Sequence, residues 1–349
     1  LDFTFEKHSD DGTALVTGGS GFLGGAIVRM LLEREVKVRV LCRGNYPHLA
    51  KAGCTVFQGE ISDAELVSKA VAGCDLVFHT AAKAGIEEPY SEYERINYQG
   101  TLNIIEACQQ HKVGRLIYTS SPSVVFSHGD VCGADESLPY PDHYDAYYPK
   151  TKSMAEQAAL KANSPQLAVT ALRPHLIWGP GDNHLGPRLV SRARAGRLKF
   201  VGDGKNIVDT VYIDNAAEAH ILAAEKLAPG SAPAGKAYFI TNGEPMPISQ
   251  ITNLIIGAAG VPPVTATISP KIAWFVGLIC EKAFKWFKLA GEPPITRWVA
   301  GELSTAHWFK IDAARRDFGY QPKVSIEEGI RRLREYYLKD SQSGKPGKH

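Results

Sequence analysis

Thr17-Gly18-Gly19-Ser20-Gly21-Phe22-Leu23-Gly24 follows Ala14-Leu15-Val16, a short apolar run suited to a buried strand. It precedes Ala26-Ile27-Val28-Arg29-Met30-Leu31-Leu32, which has the composition and spacing of a helix. Strand, glycine-rich turn and helix in that order form the dinucleotide-binding arrangement, here with glycines at 18, 21 and 24. Gly18 permits the tight turn, Gly21 lets the backbone approach a pyrophosphate, and Gly24 lets the helix pack closely on the sheet. The helix N-terminus, with the N–H groups of Phe22 and Leu23, then offers donors and a partial positive charge to the phosphates. Glycine alone also punctuates ordinary strand-turn-helix units. The two flanks are what make this one a cofactor site.

The length of 349 residues suits one large α/β unit with a smaller second region, or two domains. A hydrophobic fraction of 44% is ample for a core, and a formal net charge of +2 gives no general attraction to nucleic acid. Six cysteines are scattered at 42, 54, 74, 108, 132 and 280 without a Cys-x-x-Cys pair, which fits reduced thiols in the cytoplasm better than a secreted disulfide scaffold. Eleven histidines show no ligand-like clustering, so no metal site is expected. Residues 1–12 read as a polar extension lacking the apolar core of a signal peptide, and 339–349 as a flexible tail rich in Lys, Ser and Gly.

Val36-Lys37-Val38-Arg39-Val40-Leu41 reads as a second strand, whose end meets the adenosine ribose in such folds. An acidic residue there would favour NAD. Cys42 takes that place and Arg43 follows it, and a planar guanidinium suits a 2′-phosphate, so NADP is expected, with NAD and a merely solvated Arg43 as the alternative. Thr55-Val56-Phe57-Gln58-Gly59 is a third strand. After it Glu60 and Ile61 are candidates for the adenine edge and face, while Ser62 or Asp63 suits a helix N-cap. Asp75 to His79 is a fourth strand; His79 reads as a packed strand residue, and Thr80-Ala81-Ala82 as a small-residue end over which a cofactor can lie. Leu116 to Ser121 is a fifth strand ending in hydroxyls. Strands alternating with helices imply a doubly wound parallel sheet with ligands at the strands' C-terminal ends.

Tyr148-Pro149-Lys150-Thr151-Lys152 carries the chemistry. Tyr148 and Lys152 are four apart and so share a helix face. A free phenol titrates near 10, too high for proton transfer at neutral pH. A nearby ammonium stabilises the phenolate and lowers that value, and a strand-end serine can hold the substrate oxygen against the same phenol. A Tyr-x-x-x-Lys pattern alone is often just an exposed helix face. It gains weight by following both a glycine turn and a Ser-Ser strand end.

With these motifs and Arg173-Pro174, the chain resembles the extended short-chain dehydrogenase/reductase superfamily. Tyr118-Thr119-Ser120-Ser121-Pro122-Ser123-Val124, Arg173-Pro174-His175-Leu176-Ile177-Trp178-Gly179-Pro180 and Gly204-Lys205-Asn206-Ile207-Val208-Asp209 resemble its 3β-hydroxysteroid dehydrogenase branch. Within that branch it is similar to sterol-4α-carboxylate 3-dehydrogenases and to bacterial 2-alkyl-3-oxoalkanoate reductases. The likeness runs from about 13 to 335 and is weakest over 262–305. It implies a Rossmann-type unit over 13–180, with 206–242 returning to it, and a smaller, mostly helical substrate region over 181–205 and 243–338. It also implies NADP-dependent interconversion of 3-oxo and 3-hydroxy groups on a bulky lipophilic acid, with an NAD-linked sterol-4-carboxylate dehydrogenase as the alternative. Tyr148 would then be the acid/base, Lys152 its electrostatic partner and ribose ligand, Ser121 the substrate-oxygen donor, and Asn97 a structural or relay member. Pro174 and His175 would line the nicotinamide, and Lys83, Pro122 and Arg188 are the candidate substrate contacts. A homodimer is a further implication.

Two departures weigh against sister activities. Sugar-nucleotide dehydratases carry acidic residues directly after the catalytic hydroxyl, where Pro122 and Ser123 stand here. In NAD-dependent sugar-nucleotide epimerases, a second alternative, an asparagine holds the substrate phosphate where this chain has Leu176. Later in the chain, Val208 to Ile213 reads as a strand, with Asp214 as N-cap of a helix over 216–227, and Asp209 and Tyr212 as supports behind the site. The stretch 268–289 has apolar residues at helical spacing with Lys282, Lys285 and Lys288 nearby. It is too short in its uncharged part to span a bilayer. It reads as a core helix, a lid over a greasy pocket, or a peripheral membrane contact.

Overall fold

The computed structural model describes residues 12–85, 89–126, 129–287 and 293–342. The N-terminal extension, the end of the tail and the last two residues of 268–289 lie outside the described residues. The chain begins with β1 (Thr13–Thr17), α1 (Phe22–Leu32), β2 (Lys37–Cys42), α2 (Pro47–Lys51), β3 (Thr55–Gln58), α3 (Ala64–Val71) and β4 (Leu76–His79). Next come α4 (Tyr90–Tyr93), a π-helical turn (Glu94–Gln99), α5 (Gly100–Gln110), β5 (Arg115–Thr119), a short 3₁₀ turn (Pro122–Val124), β6 (Val131–Ala134), α6 (Tyr147–Lys161), β7 (Ala168–Pro174) and β8 (Ile177–Trp178). There follow α7 (Leu185–Arg194), β9 (Phe200–Val201), β10 (Ile207–Val208), β11 (Val211–Tyr212), α8 (Ile213–Lys226), β12 (Ala237–Ile240), β13 (Met246–Pro247) and α9 (Ile248–Ala258). The chain continues with β14 (Thr267–Ile268), α10 (Pro270–Phe287), α11 (Arg297–Ser304), β15 (His307–Phe309), α12 (Asp312–Phe318) and α13 (Ile326–Gln342).

Seven parallel strands form the main sheet in the order β12-β7-β5-β4-β1-β2-β3. The strand period of two divides it into two cores. Ala14, Val16, Val40, Phe78 and Leu172 face α1 and α8, while Leu15, Leu41, Val77, Leu116 and Ala171 face α3, α5 and α6. β7 is buried along its whole length, as expected for a strand covered on both faces. The order reverses between β1 and β4, and there the C-terminal strand ends open into a crevice. Asp63 caps α3, its Oδ1 accepting the Leu66 N–H at 3.0 Å.

Beyond the main sheet the sequence reading needs two corrections. Val208 to Ile213 is not one strand: β10 pairs with β13 and β15, β11 pairs with β8, and α8 starts at Ile213 with Tyr212 at its cap. Asp214 therefore sits in the first turn of α8 rather than capping it, and its carboxylate accepts from Arg29 at 2.6 Å. Of the segment 206–242, α8 and β12 join the main layers, and the two short strands pair outside it. The core-helix reading of 268–289 also gives way. α10 packs on α11 through Ala273, while Ile272, Trp274, Phe275, Ile279 and Trp286 face solvent. Helical spacing of apolar residues identifies a stripe without telling what covers it.

Candidate active site

β5 ends at Thr119, so Ser120 and Ser121 fall at the C-terminal edge of the sheet. Ser121 turns into extended backbone and caps the 3₁₀ turn, its Oγ accepting from the Ser123 N–H (3.2 Å) and the Ser123 hydroxyl (2.9 Å). Its hydroxyl lies near enough to the Tyr148 phenol to favour the phenolate. Tyr148 is the second residue of α6. Burial pushes its phenol up to about 12, against the lowering effect of Ser121. It is half-buried, with part of its surface open.

One turn on, Lys152 is 3% exposed. Its Nζ donates to the Thr119 carbonyl at 2.6 Å and lies 4.3 Å from the centre of the Tyr118 ring. Burial drags the ammonium down to about 7, and the Glu156 carboxylate pulls the other way. Glu156 is a further turn along the same stripe, fully buried. It accepts from Arg173 Nε (2.9 Å), from a second Arg173 nitrogen (2.5 Å) and from the Tyr140 hydroxyl (2.6 Å). This bidentate pair ties α6 to β7 and fixes the axial position of Tyr148 and Lys152.

Asn97 lies inside the π-helical turn, a feature that often marks functional sites. Its amide clamps the backbone of Lys83: Oδ1 accepts the Lys83 N–H at 2.7 Å and Nδ2 donates to the Lys83 carbonyl at 3.0 Å. Nδ2 also reaches Thr151 Oγ1 at 3.2 Å, joining the loop after β4 to α6. His79 is a packed strand residue, bonded to Thr17 (2.7 Å) and Thr101 (3.0 Å) and driven down to about 3 by burial.

The glycine turn forms a cradle. Gly18 adopts a left-handed φ of 69°, donates its N–H to Leu41 and accepts from Gly21, both at 2.8 Å. A Cβ on Gly24 would sit 2.8 Å from the Gly18 carbonyl carbon and from Thr80 Oγ1. The first bond of the α1 ladder runs from Gly25 N–H to Gly21, and no capping side chain or first-turn acid accompanies it. The N–H groups of Phe22, Leu23 and Gly24 therefore stand outside the helix ladder, with no acidic side chain in that first turn. Thr80 Oγ1 donates to the Thr17 carbonyl (2.7 Å) and the Ala81 N–H to Thr17 Oγ1 (3.2 Å), which fixes the strand end over which a cofactor lies. Ala82 beside them is exposed. A groove of about 460 Å³ opens at the turn between Ser20, Gly21, Arg29, Pro180 and Asp214. These residues fit a dinucleotide.

Other positions named from the sequence are placed as follows. Arg43 is exposed at the end of β2, near enough to Glu60 to help hold its carboxyl below the usual range; Arg95 is the larger cause and bonds Glu60 directly. Ile61 is buried in the core beneath Gly100. Pro122 is buried in the 3₁₀ turn, and Arg188 lies on the exposed side of α7, close to Arg192. Pro174 closes β7. The His175 ring donates to Asp209 Oδ1 at 2.5 Å and meets a ring nitrogen of His307 at 3.1 Å, and His307 donates to the Glu302 carbonyl at 3.0 Å. Leu176 holds a left-handed φ of 44°, strained for a leucine, and stays exposed at this strand end. Ser123, Glu156, His307 and Glu302 escape the sequence reading. Glu156 was signalled by its four-residue step from Lys152; His307 and Glu302 carry no motif.

A family model described as the 3-beta hydroxysteroid dehydrogenase/isomerase family matches residues 15–268. A 2-alkyl-3-oxoalkanoate reductase of Stenotrophomonas maltophilia is 53% identical over 92% of this chain and 98% of its own. A 3-beta-hydroxysteroid dehydrogenase of Mycolicibacterium neoaurum is 37% identical over 95% of this chain and 92% of its own. Among solved structures, a UDP-glucose 4-epimerase of Thermotoga maritima superposes with a TM-score of 0.74 at 22% identity, covering 94% of this chain and 99% of that one, which is a likeness of fold. With the glycine cradle and the Ser121, Tyr148 and Lys152 group in place, the chain belongs to the 3-beta hydroxysteroid dehydrogenase/isomerase family.

Proposed function

We propose that this protein is an NADPH-dependent reductase of 2-alkyl-3-oxo acids, converting the 3-oxo group to a 3-hydroxy group. The observation that carries the reading is the meeting of Tyr148, Ser121 and Lys152 at the end of β5, beside the glycine cradle. A bound reduced nicotinamide supplies the hydride. The N–H groups of Phe22, Leu23 and Gly24 would hold its pyrophosphate, Thr80 to Ala82 would underlie it, and Pro174 would face its nicotinamide. Arg43, with no acid in the preceding position, supports a 2′-phosphate and hence NADP. The relatives named 2-alkyl-3-oxoalkanoate reductase, at 53% and 45% identity, support the substrate class.

Ser121 and Tyr148 receive the substrate's 3-oxo oxygen between two hydroxyls, Ser121 being oriented by its two bonds from Ser123. As the oxygen gains negative charge, Tyr148 hands over its phenolic proton. The Lys152 ammonium, fixed on the Thr119 carbonyl, stabilises the phenolate left behind. Asn97 keeps the loop after β4 closed against α6 while this happens. The solvent-facing apolar side of α10, with Lys271 and Lys282 exposed beside it, supports peripheral contact with an anionic lipid surface. No helix among the described residues is long and apolar enough to cross a membrane.

A second reading is NAD-linked oxidation of a 3β-hydroxysteroid, favoured by relatives of 33–37% identity bearing such names. NADPH consumption with a long-chain 2-alkyl-3-oxo acid and, separately, with a 3-oxosteroid decides between them. Tyr148→Phe should abolish turnover while NADPH still binds, read by cofactor fluorescence. Turnover within tenfold of wild type in that variant would remove Tyr148 from the chemistry.

A further inference from the structure

His307, which no motif announces, stands inside a buried chain of hydrogen bonds whose hydrogens can be counted. The Glu302 backbone carbonyl on α11 can only accept, so the His307 Nε2 facing it at 3.0 Å carries a hydrogen. His307 Nδ1 faces His175 Nε2 at 3.1 Å, and one hydrogen must lie between these two nitrogens. His175 Nδ1 meets Asp209 Oδ1 at 2.5 Å, which takes a third. Asp209 Oδ2 accepts the Phe309 N–H at 2.8 Å. Two neutral imidazoles and a carboxylate bring two such hydrogens between them, and the folded chain uses three. His175, Asp209 and His307 are all buried, and among the described residues Asp209 has no ionic partner other than His175. The third proton leaves the buried group neutral overall in place of an unbalanced carboxylate charge. Burial and the neighbouring His175 push the His307 ring down to about 4, so that proton stays on the side of His175 and Asp209. The chain of bonds ends beside the reacting groups. β5 and β7 pair Thr119 with Leu172, and the Ser120 N–H donates to the Leu172 carbonyl at 2.6 Å. Carried forward two residues, that register sets Ser121 opposite Pro174, the residue before His175.

Resting on the reductase reading above, we propose that His307 is a positioning residue for the reduction: by accepting from His175 while donating to α11, it obliges the His175–Asp209 pair to keep a proton and so pins the strand end beside Ser121 to the substrate region. Without the third proton, His175 Nε2 and His307 Nδ1 turn lone pairs on each other, or His307 must drop the Glu302 carbonyl. Either way the link from β7 to α11 breaks. Small displacements at a strand end that carries reacting groups are costly in rate. The other ionisable groups around the chain are engaged elsewhere. Asp130, ahead of β6, accepts the Ala306 N–H at 2.8 Å and acts on His307 only through its charge. Tyr320, after α12 and beside Arg315, gives its hydroxyl hydrogen to the Thr241 carbonyl at 2.9 Å. Glu302 meets His307 through its backbone. The rings of Phe126 and Phe309 close the remaining sides.

The test compares the full-length wild type with His307→Gln, whose amide can donate on one side and accept on the other, and His307→Leu, which can do neither. Urea unfolding at pH 7.5 and 8.5 counts the proton. The folded chain holds a proton that the unfolded chain, with histidines near about 6.5, has released, so the unfolding constant rises with pH. That rise should be about tenfold larger in wild type and His307→Gln than in His307→Leu, all other titrating groups being common to the three. NADPH-dependent reduction of a long-chain 2-alkyl-3-oxo acid at pH 7 reads the positioning. In His307→Leu kcat should fall about tenfold while the Kd for NADPH stays within about threefold, because the glycine cradle is untouched; His307→Gln should stay within about threefold in both. The same pH dependence of unfolding in wild type and His307→Leu overturns the third proton, and the same kcat overturns the positioning role. Should His307→Leu not fold, the wild type alone decides. Its histidine ¹⁵N spectrum at pH 8 should contain one ring with both nitrogens protonated, and the lack of such a ring overturns the proposal. A wild type that reduces no oxo acid removes the reductase reading and the positioning role with it, while the unfolding data still decide the proton count.

Discussion

Replacing Gly24 by alanine tests the cofactor cradle at its tightest point. The added Cβ would meet the Gly18 carbonyl carbon and Thr80 Oγ1 at 2.8 Å, and the Gly18 oxygen more closely still. None of these can swing aside. Gly18 is bonded in both directions and Thr80 is bonded to Thr17. Reaching ordinary van der Waals contact with the Gly18 oxygen requires α1 to retreat by about one ångström. Overpacking of this kind costs about 1–3 kcal/mol, and the better helix propensity of alanine offsets up to about 1 kcal/mol. A net loss near 1–2 kcal/mol lowers the melting temperature by a few degrees in a chain of this size. The retreat also lifts the Phe22, Leu23 and Gly24 N–H groups off the pyrophosphate, so NADPH should bind about tenfold more weakly or worse. Gly25→Ala is the internal control. Its Cβ would meet only the Gly19 oxygen at 3.5 Å among the protein's own atoms, so it should match or exceed wild-type stability. Thermal unfolding and NADPH fluorescence titration read both variants. If Gly24→Ala matches Gly25→Ala in both measurements, the close approach of α1 to the turn is not what makes the cofactor site.

Arg43→Ala should weaken NADPH binding about tenfold and leave NADH binding within twofold, since a charge-assisted bond from an exposed arginine to a 2′-phosphate contributes about 1.5 kcal/mol; an equal loss for both cofactors would separate Arg43 from the phosphate. Glu156→Gln leaves the Arg173 guanidinium buried without its counter-charge, so the protein should lose on the order of 3 kcal/mol, read in denaturant unfolding. It also removes the group that holds the Lys152 ammonium up against burial, so the alkaline limb of the kcat profile should move to lower pH. An unmoved limb would detach Glu156 from Lys152.

What the sequence disclosed was whatever has a local signature. The glycine turn, the period-two strands and the four-residue step from Tyr148 to Lys152 each involve neighbours in the chain, and each lies where the spacing put it. Strand ends were harder. Val208 to Ile213 has the composition of one strand, but Asp209 is drawn to His175 and Thr210 to Trp178, and these partners break it into two short pairings. Asp214 resembles an N-cap in sequence, yet an arginine far away in the chain takes its carboxylate. His307 was silent for a different reason. Its meaning comes from a residue more than a hundred positions distant, His175, and no local pattern encodes such a meeting. α10 shows the same limit in reverse, because an apolar stripe records that something covers it and not whether that cover is this chain.

The electrostatics of the site also bear on the direction in which it works most easily. Burial lifts the Tyr148 phenol to about 12 and lowers Lys152 to about 7, which by themselves leave the phenol protonated and its partner only partly charged. A phenol in that state is a poor base at neutral pH. It is still a competent acid toward an alkoxide, whose conjugate alcohol, like water at about 16, holds its proton far more tightly. Giving a proton is therefore downhill for Tyr148 as it stands, and taking one requires added positive charge beside it to bring the phenolate within reach. The residues of this chain thus arrange an acid, held ready by burial and aimed by Ser121, which is what reduction of a carbonyl asks of a protein.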